Sequence, residues 1–545
     1  MAEYVATMPS AGKGDDEVTF LRDFVDAVAR RQLYEPTMYD TYRWLIPTRE
    51  NFYQPTEGQR RDEHLFESGT QAAAINFANR IQSIMLPQFR NWAGLSPGTK
   101  FLSMPYEARL QAQIQTETVT QLMFAHLHQS NFDSEVTPSL LDLGVGTGAL
   151  LLQPGSLETN IFQFQSVPQA ELFLQEGPYG SVGTKFRRYK MAARNIKPTW
   201  DDAELPEKLT KIIDATPNQQ IELIEGIRYQ PHLDEKRPYC YYVLEPTEKK
   251  FIVKRRYRTD PLIVFRWMRM PGEVYGRGPF MTALADVKVM NKVLEYILQN
   301  AAMAIAGVYM VQSGTVMNPK KLKFQPGMMI PVLPTGGNHK PIERVDNNGN
   351  FDVGQMIVKD MREAVNNHLF NNPLGSINDP VRSATEISYR QQEFADRIGS
   401  SFGRLHFELI QPLVARMLDI MDQLGVIDLG GLKVNGQELK VSVESPIAEA
   451  QNMEEAMRID RFMKTILGTA GMQGLTLGTK LEDYPEIMAE LFKVTPRLVR
   501  PKSERDQMQQ DLAAGMMAGG APGQPGGGGI DPAALTKVAT AGVGS

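Results

Sequence analysis

Cysteine is almost missing: Cys240 is the single one in 545 residues. That excludes an intramolecular disulfide, a Cys-x-x-Cys redox motif and a zinc centre built on paired thiolates, and it fits a reducing compartment. Cys240 lies in the strand-like run Tyr239-Cys240-Tyr241, where a buried, inert thiol is expected. Histidine is sparse and scattered, at 64, 126, 128, 232, 339, 368 and 406. His126 and His128 are neighbours but face different directions on a helix, so no metal-ligating or acid–base cluster is expected. No stretch approaches the roughly 20 apolar residues that cross a bilayer. The most membrane-like one, 301–311, reads as a buried helix end running into a strand. Residues 1–16 lack an apolar core and carry acids where an export signal needs bases, so export by that route is not expected. Charge of one sign is also lacking. Lys plus Arg is 58 and Asp plus Glu is 63, a net −5, too balanced for a protein whose main task is to grip a nucleic-acid backbone. No Gly-x-x-x-x-Gly-Lys-Ser/Thr segment occurs, so nucleotide hydrolysis by the P-loop route is not expected.

The length suggests about three or four structural units at roughly 150 residues each. Apolar residues at helical spacing predict helices over 20–33 (Phe20, Phe24, Ala27, Val28), 38–45, 64–86 (Phe66, Ala73, Ala74, Phe77, Ile81, Ile84) and 106–128. Between 148 and 269 the pattern changes to short β-branched and aromatic runs at 161–167, 240–244, 251–257 and 262–268, with a helix inserted near 205–214. This reads as a mixed sheet, and the segregation of helices from strands predicts an α+β fold, mainly helical. Gly278-Pro279 opens a strong amphipathic helix carrying Leu284, Val287, Leu294, Ala301 and Ile305. A strand at 308–312 and a Pro/Gly-punctuated segment to 350 follow, then a helix over 353–370 and a polar loop over 371–382. The longest helix is predicted at 383–424, kinked at Pro412. A hairpin around Asn435-Gly436 and a glycine-broken helical stretch at 448–493 come next. The Gly, Ala, Pro and Gln tail cannot bury enough surface to order itself, so disorder is expected after about residue 500.

The sharpest catalytic motif is Leu141-Asp142-Leu143-Gly144-Val145-Gly146-Thr147-Gly148, which matches the acidic-x-Gly-x-Gly-x-Gly loop of methyltransferases that bind S-adenosylmethionine. Such a loop needs a strand before it and a helix after it, with backbone N–H groups facing the ligand. Pro154 and Gly155 leave that helix no room, so a helix-to-strand turn is the favoured role and a methyltransferase the alternative. Two basic clusters, Lys185/Arg187/Arg188/Lys190 around Tyr189 and Lys249/Lys250/Lys254/Arg255/Arg256/Arg258, suit either phosphate tracking or solvated and subunit-contact surface. The balanced net charge favours the second.

The order of elements is more informative than any motif. A helix, a turn-rich excursion, a second helix, a polar loop and a very long kinked helix resemble the stem, clip, stem, tunnel loop and wing helix of bacteriophage portal proteins. The residues that carry the match are Val274-Tyr275-Gly276-Arg277-Gly278-Pro279 leading into Asn291, Ser383-Ala384-Thr385-Glu386-Ile387 with Arg390, and Leu409-Ile410-Gln411-Pro412-Leu413. Phe66-Glu67-Ser68-Gly69-Thr70 through Trp92 resembles the opening wing segment of the head-to-tail connectors of short-tailed phages. The resemblance spans most of 15–500. It implies an N-terminal wing at 1–270, a first stem helix at 271–306, a clip at 307–352 and a second stem helix at 353–370. A tunnel loop at 371–382, a long wing helix with a hairpin at 383–447, a helical crown at 448–500 and a disordered tail at 501–545 complete the division. It further implies a non-enzymatic, cofactor-free dodecameric ring at a capsid vertex, assembled in the host cytoplasm, through which double-stranded DNA passes. Asn371, Asn372, Ser376, Asn378, Asp379 and Arg382 would face that DNA. Lys320, Lys321, Lys323, Gln325, His339 and Lys340 would lie on the clip that docks terminase and later the tail adaptor. Major capsid protein and scaffold or internal core proteins are the other implied partners, with no membrane. A mildly acidic ring suits a conduit, because each cation that neutralises a phosphate adds to a grip that sliding DNA must not meet.

Overall fold

The computed structural model describes residues 17–49, 52, 58–96, 106–155, 160–307, 309–312, 328–332, 342–344, 351–371, 399, 401–427, 440–443, 446–481, 484–492 and 505. The opening helices form where apolar residues recur at helical spacing. α1 (Glu17–Gln32) buries Phe20, Phe24 and Ala27. α2 (Glu35–Leu45) has Pro36 in its first turn, where the missing N–H costs nothing. α3 (Gly69–Met85) buries Ala73, Ala74, Phe77 and Ile81 as expected. It starts later than its periodicity indicated, because Phe66 is drawn out of the helix and its N–H donates to Asn291 Oδ1 (2.8 Å). Beyond β1 (Ala93–Ser96) come α4 (Tyr106–Gln129) and α5 (Phe132–Val145). The sequence pattern did not reveal α5, since Pro138 and Gly144 interrupt it and its buried residues, Ser139 and Asp142 among them, follow no single apolar stripe. Its Phe132, Val136, Leu140, Leu143 and Val145 all belong to the largest core.

The strand region holds β2 (Thr147–Pro154), β3 (Phe162–Ser166), β4 (Leu172–Glu176) and β5 (Val182–Ala192), then α6 (Glu207–Ala215), then β6 (Gln220–Tyr229), β7 (Tyr239–Glu245), β8 (Lys250–Tyr257) and β9 (Leu262–Arg266). They make a sheet of order β3-β2-β9 and a five-stranded sheet β4-β5-β6-β7-β8. The expected mixed sheet is corrected here, since every pairing in both is antiparallel. Most connections are too short for the crossover that parallel neighbours need. Among the described residues of these two sheets, β5 and β6 are the one pair of consecutive strands with α-helix between them, Ile196–Thr199 and α6, and they too run antiparallel. α1 covers one face of the larger sheet, its Phe20 and Phe24 meeting Phe173, Phe186, Tyr242 and Phe251 edge-on. Gly226 on β6 makes room for this, because a Cβ there would lie 2.3 Å from the Phe20 ring. Cys240 is buried in the same cluster, as expected.

α7 (Pro279–Ala306) starts at Pro279, as Gly278-Pro279 indicated, and carries the expected stripe; the stretch from 271 to 278 ahead of it is not helical. Beyond it, β10 (Tyr309–Gln312) runs parallel to β11 (Met329–Val332) and antiparallel to β12 (Ile342–Arg344). α8 (Phe351–His368) then returns along α7. The helices approach closely at Gly354, where a Cβ would come 2.9 Å from Ile297 Cδ1. Of the long helix expected over 383–424, residues 383–398 and 400 lie outside the described residues; before Pro412, where a kink was expected, stands a π-helical turn, His406–Ile410, in which the N–H of Gln411 donates to His406 O, and α9 (Gln411–Gln423) continues from it. β13 (Lys440–Val443) pairs with β1, Ala93 opposite Val443; the other strand of the expected hairpin lies outside the described residues, as does the tail apart from residue 505. The chain divides into two compact units, residues 1–451 and 452–545. The second holds the rest of α10 (Pro446–Gly478), broken at Gly471 with φ +65°, and α11 (Tyr484–Leu491).

Candidate functional site

Two glycine-rich segments that the sequence set far apart meet at the base of α7. Gly278 N–H donates to Val145 O (2.9 Å), Trp267 N–H to Gly146 O (3.0 Å) and Gly276 N–H to Thr147 Oγ1 (2.9 Å). A Cβ at Gly276 would lie 2.2 Å from Gly146 O, and one at Gly278 would lie 2.0 Å from Gly144 O. Gly144 is filled in turn by the Phe280 ring, 2.4 Å from where its Cβ would stand. Backbone lies on backbone here, so only glycine fits on either side. The 141–148 motif is therefore the socket in which α7 is rooted. A helix precedes it and a strand follows, the reverse of a methyl-donor loop.

Asp142, the motif's acidic residue, is fully buried. Arg49 donates to it through Nε (2.7 Å) and Nη2 (2.6 Å), and the Tyr42 hydroxyl donates at 2.7 Å. Burial alone would lower the Arg49 pKa, but the carboxylate beside it carries it above the usual arginine value. Burial and the same carboxylate push the Tyr42 hydroxyl well up. With both oxygens engaged, Asp142 locks the socket to Arg49 and to Tyr42 of α2.

Two buried arginines, neither singled out from the sequence, tie the helix over 401–423 to the sheets. Arg266, at the end of β9, donates through Nη2 to Glu408 Oε1 (2.6 Å) and through Nε to Glu408 Oε2 (3.2 Å), and it also reaches the carbonyls of Val274 (3.2 Å) and Gly180 (3.3 Å). Arg416, with a relative exposure of 0%, reaches Leu152 O (3.3 Å) and Asp419 (3.4 Å) and stacks on Tyr257. Desolvation lowers its pKa. A signal existed: each arginine interrupts an apolar run, Leu-Ile-Val-Phe-Arg266-Trp and Leu-Val-Ala-Arg416-Met-Leu. A charge on an otherwise buried stretch needs a buried partner.

Among the described residues, the hairpin α7/α8 is embedded at one end only. Lys288 Nζ pairs with Asp40 (2.6 Å), Asn291 Nδ2 donates to His64 O (3.1 Å), Arg362 pairs with Glu67 (2.9 Å) and His368 Nε2 lies 3.3 Å from Asp286. Phe280, Ala283, Val287, Met290 and Asn291 are buried, but from 292 to 306 no residue of α7 is. Val289, Tyr296, Leu298 and Ile305 on α7, and Val353, Met356 and Ile357 on α8, are exposed. Of the loop residues singled out from sequence, Asn371 is described. Its Nδ2 donates to Ala73 O (2.6 Å) and its N–H to Asn366 O (2.7 Å), so it is held to α3 and to the end of α8. Asn372, Ser376, Asn378, Asp379 and Arg382, and Lys320, Lys321, Lys323, Gln325, His339 and Lys340, lie outside the described residues.

The basic clusters are largely neutralised within the chain. Lys185 pairs with Asp260, Arg187 with Glu171 (2.9 Å), Arg255 with Asp202 and Arg258 with Asp422 (2.9 Å). Lys250 and Lys254 stand on β8, at the edge of the five-stranded sheet, where charged side chains discourage unwanted strand addition. Among the described residues no group of three or more His, Cys, Asp or Glu could hold a metal, and no helix is long and apolar enough to cross a membrane.

The sequence matches the family described as bacteriophage head to tail connecting protein over residues 20–495. It is 22% identical over 508 residues to the probable portal protein of Bordetella phage BPP-1, covering 88% of this chain and 89% of that one. The portal protein of Salmonella phage epsilon15 is 21% identical over 464 residues, 79% of this chain and 81% of that one. The portal protein of Enterobacteria phage T3 is 24% identical over 225 residues, 40% of each chain. A solved chain of the virion of a native gene transfer agent particle aligns over 82% of this chain and 98% of its own with 10% identity, but the TM-score of 0.31 is too low to bear on the fold. With the family matched across both glycine segments, the α7/α8 hairpin and the helix over 401–423, the chain belongs to the bacteriophage head to tail connecting proteins.

Proposed function

We propose that the protein is the portal of a phage capsid: a ring of identical subunits, twelve by the family resemblance, that serves as a DNA conduit and docking platform and carries out no catalysis. The observation that carries this reading is the family match over residues 20–495. The hairpin supports it. Ile305 is 86% exposed and Met356 66%, and a helix pair rooted in a rigid socket with apolar side chains open along its free half suits a subunit that meets its neighbours there. In a closed ring two different patches of the same chain meet around an axis. The internal pairing of the basic clusters supports passage over grip, since cations already matched to carboxylates add little to phosphate binding.

In this reading α7 and α8 are the stem, 307–352 the clip that takes terminase and then the tail adaptor, and 371–382 the tunnel loop facing DNA, with Asn371 as its fixed end. Major capsid protein and internal core or scaffold proteins are the remaining partners, and the site of action is a virion vertex. The test replaces 371–382 with a short Gly-Ser link. Rings should still assemble, while DNA packaging or retention falls. Normal packaging and retention in such rings would contradict the tunnel-loop assignment.

A further inference from the structure

We propose that the π-helical turn His406–Ile410 is a register switch in the wing helix, held in its present setting by the Arg266–Glu408 pair. A π-turn carries one residue more than an α-turn and is rare, occurring mostly as a single-turn bulge inside α-helices, so its surroundings must hold it. Two neighbours could do so. Pro412 has no N–H to give the Glu408 carbonyl, which frees the helix locally. The Glu408 carboxylate takes three hydrogen bonds from one residue of β9: the Arg266 backbone N–H (2.9 Å) and Nε (3.2 Å) at Oε2, and Nη2 (2.6 Å) at Oε1. The ion pair is the stronger constraint, because its hydrogen bonds are charge-assisted and the Arg266 side chain is buried.

The two sides of the turn are not equally fixed. Downstream, Leu413, Val414 and Met417 are buried and Arg416 is locked between Leu152 O, Asp419 and Tyr257. Upstream, Phe402 is half-buried and Gly403 is exposed, with open space where its Cβ would stand; among the described residues there, only Ser401 and Leu405 are buried. If the extra residue is absorbed into regular α-helix, the upstream part must turn by about 100° and shift by about 1.5 Å, the step of one helical residue. Ser401 would rotate outward and Gly403 inward. Arg266 also grips Val274 O, in the segment that enters α7. Displacement of the stem base therefore pulls on the guanidinium that sets the register of the wing helix. The switch is a property of this fold; its use in a DNA-conducting ring rests on the portal reading above.

Thiol labelling of the full-length assembled protein tests this, with Cys240 buried as a silent background. Ser401→Cys and Gly403→Cys are each made with Glu408 intact and with Glu408→Ala. With Glu408 intact, maleimide should modify position 403 quickly and 401 slowly. With Glu408→Ala, 401 should react at least tenfold faster and 403 more slowly. Unchanged rates at both positions, or acceleration at both, which is fraying without rotation, would overturn the switch. Pro412→Ala separates the two causes: it should keep the wild-type pattern, and if it alone exchanges the two rates the ion pair is not the catch. Glu408→Gln repeats the measurement with a milder change. If neither Glu408 variant folds, the pair is a requirement of the fold and not a catch, and the proposal fails. Exchanged rates in rings that package and retain DNA normally would leave the switch standing and remove its link to DNA passage.

Discussion

Replacing Asp142 by Ala should cost the protein stability and leave any methyl-donor binding untouched. Asp142 is fully buried and takes three hydrogen bonds, two of them from Arg49, whose side chain is 20% exposed. Removing one partner of a buried ion pair costs about 3–5 kcal/mol, because the other charge is left uncompensated. Partial exposure of Arg49 lets water reach it and places the cost near the lower end, at about 3 kcal/mol. With an unfolding entropy of about 2.1 cal/mol/K per residue over a unit of roughly 450 residues, that is a fall in Tm of about 3 °C. Calorimetry or dye-monitored melting of purified protein, at matched subunit concentration because assembly shifts Tm, measures it. Arg49→Met in the Asp142→Ala background should recover part of the loss, since the orphaned charge goes with it. Titration calorimetry of S-adenosylmethionine into the wild type should show no Asp142-dependent heat. A variant melting within about 1 °C of wild type, or an equal loss with and without Arg49, would refute the socket; micromolar donor binding abolished by Asp142→Ala would restore the methyltransferase.

Gly276→Ala places a Cβ 2.2 Å from the Gly146 carbonyl oxygen, and backbone cannot yield as a side chain does. Overpacking of this kind costs about 1–3 kcal/mol or more, so soluble expression and Tm should fall; a Tm equal to wild type would show that the joint is loose. Burial alone would raise the Asp202 pKa, but its hydrogen bonds and ion pair with Arg255 hold it below the ordinary value. A depressed carboxylate contributes stability that is present above its unfolded pKa and lost as pH falls through its folded one. Arg255→Met should therefore move the midpoint of acid unfolding to higher pH, and an unchanged midpoint would contradict this. Ile305→Asp or Met356→Asp should weaken subunit association about tenfold or more, given about 1.5–3 kcal/mol for each large apolar side chain that a neighbour would bury. Sedimentation profiles matching wild type would show that the free half of the hairpin is not a subunit contact.

Helices whose apolar residues fall on one stripe were legible in the sequence. α7 starts at Pro279 as Gly278-Pro279 indicated, and Gly307 stops it; α3 announced itself through Ala73, Phe77 and Ile81. What could not be read depends on contacts distant along the chain. α5 is buried on most sides and carries no stripe, so Pro138 and Gly144 hid it. Glycine spacing at 144–148 suggested a ligand loop, because short-range pattern does not reveal whether a carbonyl or a phosphate approaches the glycines; here it is the backbone of 276–278. The basic clusters looked like free surface until Asp202, Glu171, Asp260 and Asp422 were brought to them from elsewhere in the chain. Arg266 and Arg416 went unnoticed for the same reason, as Glu408 lies far from Arg266 in sequence and the partners of Arg416 include the carbonyl of Leu152.

The portal proposal requires this chain to close into a ring around a DNA passage. Negative-stain electron microscopy of the purified protein, with its mass measured by light scattering, tests it most directly. A portal gives annular projections with a central hole and a mass that is a multiple of 61.1 kDa, twelvefold by the family resemblance. Monomers persisting under every assembly condition tried, or compact particles with no hole, would contradict it.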